Sequence, residues 1–174
     1  KLSVFKWEEN PEYIRDQRVI ENLGKLQGDE MAIGLQSTSE VTLKKIKRKF
    51  HKETYETNVK RLRLLNPDAN IKFSLILGLP IDTYESFTHS LDFAISMVPR
   101  YIYFHDLLIL PGSEMYDYPE EFGIVIDKDP PHRLLSNETF PWEDYNRAKF
   151  LGFYTKLLHK TIWIRDEMLN LQEQ

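Results

Sequence analysis

Apolar residues recur along the chain in two alternating patterns. Short runs rich in β-branched and aromatic residues, at positions 2–7, 31–36, 71–77 and 101–110, predict four strands. Each is followed by a stretch with apolar positions three or four residues apart, the spacing of a helix with one buried face. Ile14, Val19, Ile20, Leu23 and Leu26 mark a helix over 13–26, with Pro11 at its start and Gly28-Asp29 at its end. Ser37, Thr38 and Ser39 offer N-caps to a short basic helix carrying Val41, Leu43, Ile46 and Phe50. The next helix, over 53–65, stops at the turn signal Asn66-Pro67-Asp68. Residues 71–77 are nearly all apolar, the composition of a strand covered on both faces of a parallel sheet. Phe87, Leu91, Phe93, Ala94 and Met97 place a further helix over 84–97.

Strands that alternate with helix-length segments imply βαβ units and an α/β fold. The end of the chain departs from this rhythm. Residues 127–142 are Pro-rich and read as loop, and 143–169 read as one long helix with Phe150, Phe153, Tyr154, Leu157, Leu158, Ile162 and Trp163 in an apolar stripe. The chain therefore divides into an α/β part, 1–126, and a loop with a helical extension, 127–174. Four parallel strands are too few to close a barrel, which takes about 250 residues when complete. An open sheet of four leaves an apolar edge bare. The expected architecture is a part of a (β/α) TIM-like barrel with about four parallel strands and a C-terminal helix. The alternative is a small, complete open α/β domain whose edges the last helix covers.

Composition removes several functional classes. The 174 residues suit one domain, and with 23 Lys and Arg against 27 Asp and Glu the net charge is −4, so a general polyanion-binding surface and a nucleic-acid partner are not expected. A local basic run does occupy residues 44–52. No run approaches the ~18 apolar residues of a membrane helix. With no cysteine, the chain contains no disulfide, thiolate zinc site, cysteine nucleophile or cysteine-ligated iron–sulfur cluster of its own. It opens on Lys1 without a Met or a signal segment, and reads as a piece of a longer protein.

Three strand ends carry glycine beside small polar residues: Ile33-Gly34-Leu35-Gln36-Ser37, Leu75-Ile76-Leu77-Gly78-Leu79-Pro80 and Ile109-Leu110-Pro111-Gly112-Ser113. One such glycine need only make a tight turn. Three in successive units point to a site, because ligands of α/β sheets and barrels bind outside the carboxyl ends of the strands. Gly78-x-x-x-x-Thr83 lacks the Gly-Lys-Ser/Thr ending of a phosphate loop. His105 and Asp106 are adjacent on a strand and point to opposite faces, so they form no acid–base pair in one pocket, and His105 reads as a buried, satisfied histidine. His51, His89, His132 and His159 show no metal-ligand spacing.

Residues 33–49 (IGLQSTSEVTLKKIKRK), 70–90 (NIKFSLILGLPIDTYESFTHS) and 101–116 (YIYFHDLLILPGSEMY) resemble the fourth, fifth and sixth strand units of radical S-adenosylmethionine (SAM) enzymes. Asp129-Pro130-Pro131 and Leu134-Leu135-Ser136 are similar to the cobalamin-binding subgroup. The resemblance runs from about residue 2 to residue 145 and implies the C-terminal half of a partial barrel. In that family a Cys-x3-Cys-x2-Cys loop holds a [4Fe–4S] cluster whose open iron binds SAM, and SAM is cleaved reductively to a 5′-deoxyadenosyl radical. That loop is missing here, so the resemblance implies a cytoplasmic oxidoreductase or methyltransferase whose cluster ligands lie in a missing N-terminal half of the barrel. Its substrate, small or macromolecular, is open, any cobalamin would sit on a separate domain, and the piece alone would be inactive, its bare apolar surfaces favouring self-association. Gln36 and Ser37 match residues facing the SAM ribose or carboxylate, Arg48 a basic residue near the carboxylate, Gly78 and Leu79 the turn lining the adenine, and Leu110 the backbone of the sixth strand. Pro80-Ile81-Asp82 departs from the family's Pro-Gly-Glu, and isoleucine tolerates a positive φ poorly. A stand-alone, non-catalytic α/β ligand-binding or interaction domain is the competing expectation.

Overall fold

The structure, a computed structural model, describes residues 6–9, 17–25, 30–67 and 70–172, and at 6–9, 17, 20, 23, 24, 30 and 163–172 the backbone alone. The start of the first expected strand, Pro11, Ile14, Leu26, Gly28, Asp29 and Asp68 lie outside the described residues, as do the side chains of Ile20, Leu23 and Trp163.

Four parallel strands form one sheet in sequential order: β1 (Lys6–Glu9), β2 (Glu30–Gln36), β3 (Asn70–Leu77) and β4 (Tyr101–Asp106). The crossovers carry α1 (Gln17–Lys25), α2 (Glu40–Lys45) with α3 (Lys52–Leu65), and α4 (Tyr84–Ser96). Chain order and spatial order coincide, as in a barrel wall. The expected α/β class, parallel pairing and tail helix are all found. α2 is shorter than the sequence suggests because Lys47 takes a left-handed φ of 56° and the Arg48 N–H turns back to the Leu43 carbonyl, 2.7 Å away.

The core lies on one face of the sheet. Ile33, Leu35, Ile71, Phe73, Leu75 and Ile102 pack with Tyr55, Val59 and Leu62 of α3 and Phe87, Leu91 and Ala94 of α4. Each fully buried aliphatic or aromatic side chain contributes roughly 1.5–3 kcal/mol. β3 was expected to be covered on both faces, yet its alternate residues Ser74 and Ile76 are only half-buried. On that second face Lys72 stands beside Tyr101, Ser74 beside Tyr103, and Ile76 beside His105. Lys72 is buried there because the rings of Tyr101 and Tyr103 flank its ammonium at 5.3 and 5.5 Å, a favourable placement for a cation.

β4 ends at Asp106, four residues short of the expected 101–110. Its partner β3 turns away at Gly78, and beyond Leu107 the chain pairs with the C-terminal extension instead, through a bridge between Leu108 and Arg133. After α5 (Glu114–Asp117) and a 3-10 turn (Pro119–Phe122), β5 (Ile124–Ile126) pairs antiparallel with β6 (Leu134–Asn137). β6 is not among the expected elements and lies inside the Pro-rich stretch expected as loop.

The last helix, α6 (Trp142–Gln172), covers the β4 edge with Tyr145, Ala148 and Gly152 rather than with its apolar stripe. A Cβ on Gly152 would stand 3.0 Å from the Phe104 ring, so glycine permits this close approach. His159 Nε2 donates to the Pro99 carbonyl at 2.5 Å farther along. Phe150, Phe153, Tyr154, Leu157, Leu158 and Ile162 are exposed. Among the described residues no helix is long and apolar enough to cross a membrane.

Candidate functional site

β2 ends in Gln36, whose left-handed φ of 65° accompanies a register shift against β3. The residue is buried and its Oε1 has no hydrogen-bond partner among the described residues. Ser37, 1% exposed, is already engaged: its Oγ accepts the Ser39 N–H at 3.1 Å and lies 3.4 Å from Ser90 Oγ on α4. Ser90 Oγ also accepts the Thr38 N–H at 2.9 Å, tying the β2 turn to the neighbouring helix. Ser39 caps α2 by accepting from Thr42 N. Arg48 follows α2 at the same end of the sheet and has a buried Nη1, likewise without a partner. A groove of about 490 Å³ runs along this segment.

β3 ends in the turn Gly78–Thr83. Gly78 has φ 86°, and the space a Cβ would take is filled by Leu134 and Tyr145. The Asn137 amide donates to both the Gly78 and Leu79 carbonyls, at 3.1 and 2.8 Å. The C-terminal extension thus grips the turn that the resemblance assigns to the adenine. Ile81 adopts φ 66°, the conformation its branched side chain tolerates poorly. Ile81→Gly is expected to raise stability by about 1 kcal/mol, since Ile81 is exposed and the relieved strain outweighs the entropy cost of glycine. Thermal unfolding checks it; a lowered Tm would show that the turn is not strained.

Asp82 completes the turn and is 1% exposed. Burial pushes its carboxyl up to about 6, against hydrogen bonds from Ser86, the Thr83 backbone and Thr42 that work the other way. Thr83 and Ser86 form a reciprocal capping box at the start of α4. Thr139 Oγ1 donates to the Asp82 carbonyl at 2.7 Å, a second clasp from the extension.

At the end of β4, Asp106 faces α6, accepting from the Tyr145 hydroxyl at 2.7 Å and from Lys149 Nζ at 2.9 Å. Burial works to raise the Asp106 carboxyl, but these two bonds and the positive charges of Lys149 and Arg133 outweigh it and hold it below its usual 3.8. The Tyr145 phenol is raised, first by burial and then by Asp106. His105 lies on the opposite face, as strand geometry requires, but it is exposed and stacked beside Tyr103 at 6.3 Å. The expectation of a buried, satisfied histidine is corrected: the second face of the sheet lacks the cover it assumed.

Gln36, Ser37, Gly78 and Leu79 come together at the neighbouring ends of β2 and β3, with Arg48 on the return from α2. Leu110 stands apart, 64% exposed, its carbonyl accepting from Ser113 N and Oγ at 3.1 and 2.7 Å. Leu79, Leu107 and Ile109 meet Phe122 and Ile124 in a second, smaller core beneath it. Asn137, Asp82 and Tyr145 carry much of the local bonding and were not legible beforehand. Among the described residues no three His, Cys, Asp or Glu are grouped to hold a metal ion. An iron–sulfur cluster does not fit the donor set of this chain, which has no thiolate.

No protein-family model matches the chain. It is 26% identical over 127 residues to a tRNA-2-methylthio-N(6)-dimethylallyladenosine synthase of Ehrlichia chaffeensis, covering 73% of this chain and 27% of that protein. Its fold superposes on coproporphyrinogen III oxidase of Escherichia coli, a radical SAM enzyme, with a TM-score of 0.65 and 18% identity over 88% of this chain and 32% of that one. It superposes also on TsrM of Kitasatospora setae, a radical SAM methyltransferase with cobalamin and a [4Fe–4S] cluster bound, with a TM-score of 0.58 and 15% identity over 82% and 30% of the two chains. The chain therefore spans about a quarter to a third of the length of these three proteins. The resemblance to the radical SAM superfamily and the reading of the fold as part of its barrel are borne out.

Proposed function

We propose that this chain forms the C-terminal half of a radical SAM core and that its own part is to hold SAM at the carboxyl ends of β2 and β3. The observation that carries this reading is the pair of buried polar atoms without partners, Gln36 Oε1 and Arg48 Nη1. Leaving such an atom unpaired costs about 1–3 kcal/mol, so a ligand that satisfies it binds with that much advantage. A guanidinium matches the two oxygens of the SAM carboxylate, and an amide oxygen accepts from a ribose hydroxyl. Ser37, whose hydroxyl is engaged, contributes by fixing the turn. Leu79 and Leu110 offer backbone and apolar surface to either side.

SAM, when bound, supplies a sulfonium centre open to one-electron reduction. The reducing [4Fe–4S] cluster finds no ligands in these residues and belongs to the N-terminal half of the barrel, so the chain alone binds without turnover. The name of the Ehrlichia relative supports methylthio transfer as the reaction class. Cobalamin, present in the methyltransferase neighbour, would be held by a separate domain. One barrel hosting an oxidase and a methyltransferase does not by itself select among these reactions.

Calorimetric titration of the chain with SAM tests the reading. Arg48→Ala and Gln36→Ala are each expected to weaken binding by about 1–3 kcal/mol, roughly 5- to 150-fold. Unchanged affinity in Arg48→Ala would return that residue to the surface. No binding of SAM by the unaltered chain would leave a non-catalytic α/β module.

A further inference from the structure

We propose that the basic segment 44–52 is a docking surface for the phosphate backbone of an RNA, set at the rim of the SAM site; this rests on the function proposed above and names the partner of the same site. Six of these nine residues are Lys or Arg, in a chain whose net charge is −4. The overall balance hides this local density.

The fold places the segment at the carboxyl end of the sheet. It follows the end of β2, and Lys47 pairs at 2.5 Å with Glu114, the first residue of α5. Lys45 donates to the Glu121 carbonyl at 2.5 Å and lies over the Phe122 ring. These two contacts fix the segment as a bridge across the rim. Lys44 and Lys49 are exposed and have no ion pair among the described residues. With Arg48 and Lys47 they line the groove of about 490 Å³, whose remaining wall includes Phe50, His51 and one acid, Glu40. A second hollow of about 390 Å³ shares Phe50 and His51 and adds His89 and Phe93.

This chemistry fits a polyanion with planar bases better than an acidic peptide. Lysine ammoniums are rotatable point charges that track a phosphate backbone, and the half-buried Phe50 lines both hollows beside them. The relative's printed substrate is a tRNA.

Fluorescence anisotropy with a labelled single-stranded RNA of about 20 nucleotides, without SAM, tests the surface across a salt series. The double variant Lys44→Gln/Lys49→Gln is expected to weaken binding about tenfold at ~0.1 M salt and to flatten the log K against log salt slope by about 1.4. Lys160→Gln, on the exposed side of α6, is expected to change neither. Calorimetric titration of the unaltered chain with SAM is run alongside, so failure here and failure of the SAM reading are separable. The proposal is overturned if the double variant behaves like Lys160→Gln, if poly-glutamate displaces the RNA at equal charge concentration, or if millimolar inorganic phosphate displaces it fully.

Discussion

Gly78→Ala is expected to lower the unfolding free energy by about 3 kcal/mol. Two costs add. An L side chain at φ 86° carries about 1–2 kcal/mol of backbone strain. The new methyl then meets Leu134 at 2.5 Å and the Tyr145 ring at 3.1 Å, an overpacking that costs about 1–3 kcal/mol. Leu134 packs against both hydrophobic cores, and Tyr145 is held by its hydrogen bond to Asp106 and by stacking on Trp142 at 5.4 Å. Urea unfolding of the variant reads the loss as a lower midpoint. A change below about 0.5 kcal/mol would mean that the extension does not press on this turn. Asn137→Ala separates the two contributions of the extension: it leaves the Gly78 backbone unstrained while freeing the Gly78 and Leu79 carbonyls.

That glycine also illustrates what sequence reading reached. Gly78 was found from its position at a strand end, a local feature. The reason for a glycine there, β6 and α6 folding back onto the turn, depends on contacts 56 and 67 residues away, as the numbers of Leu134 and Tyr145 show. β3 and α4 follow their expected bounds within a residue, because a continuous apolar run and a three-four repeat are periodic signals. β6 has neither alternation nor β-branched residues, and it is specified by its partner β5 and by Asn137. The largest apolar residues of the tail helix form a stripe, but close packing on β4 selects the small ones, Ala148 and Gly152. In the site, Gln36, Ser37 and Arg48 were legible by place and residue type. Their states were not: the engaged Ser37 hydroxyl and the unpartnered Gln36 and Arg48 atoms depend on how α2 and α4 meet the sheet.

Asp82 yields the second large effect, a loss of stability as pH rises from about 4 to 7. Its carboxyl titrates near 6 in the folded protein and near 3.8 when free. A folded pKa above the unfolded one means that the folded state binds the proton more tightly. The contribution is therefore complete below 3.8 and lost as pH rises through about 6. A difference of this size is worth on the order of 3 kcal/mol. Asp106 runs oppositely but in another window: its carboxyl is held below 3.8, so its contribution is present above that value and lost only in more acid solution. Urea midpoints measured at intervals between pH 4 and 7 are expected to fall with rising pH, and Asp82→Asn is expected to flatten that slope. An unchanged slope in Asp82→Asn would assign the dependence to other groups. The same titration bears on the site. An ionised Asp82 draws harder on Ser86, Thr83 and Thr42, which hold the start of α4 and the base of α2, so the β3 turn beside Gln36 is clasped differently on the two sides of pH 6. SAM affinity measured over the same interval is expected to change in the unaltered chain and to stay level in Asp82→Asn. A parallel pH profile in both would confine Asp82 to stability alone.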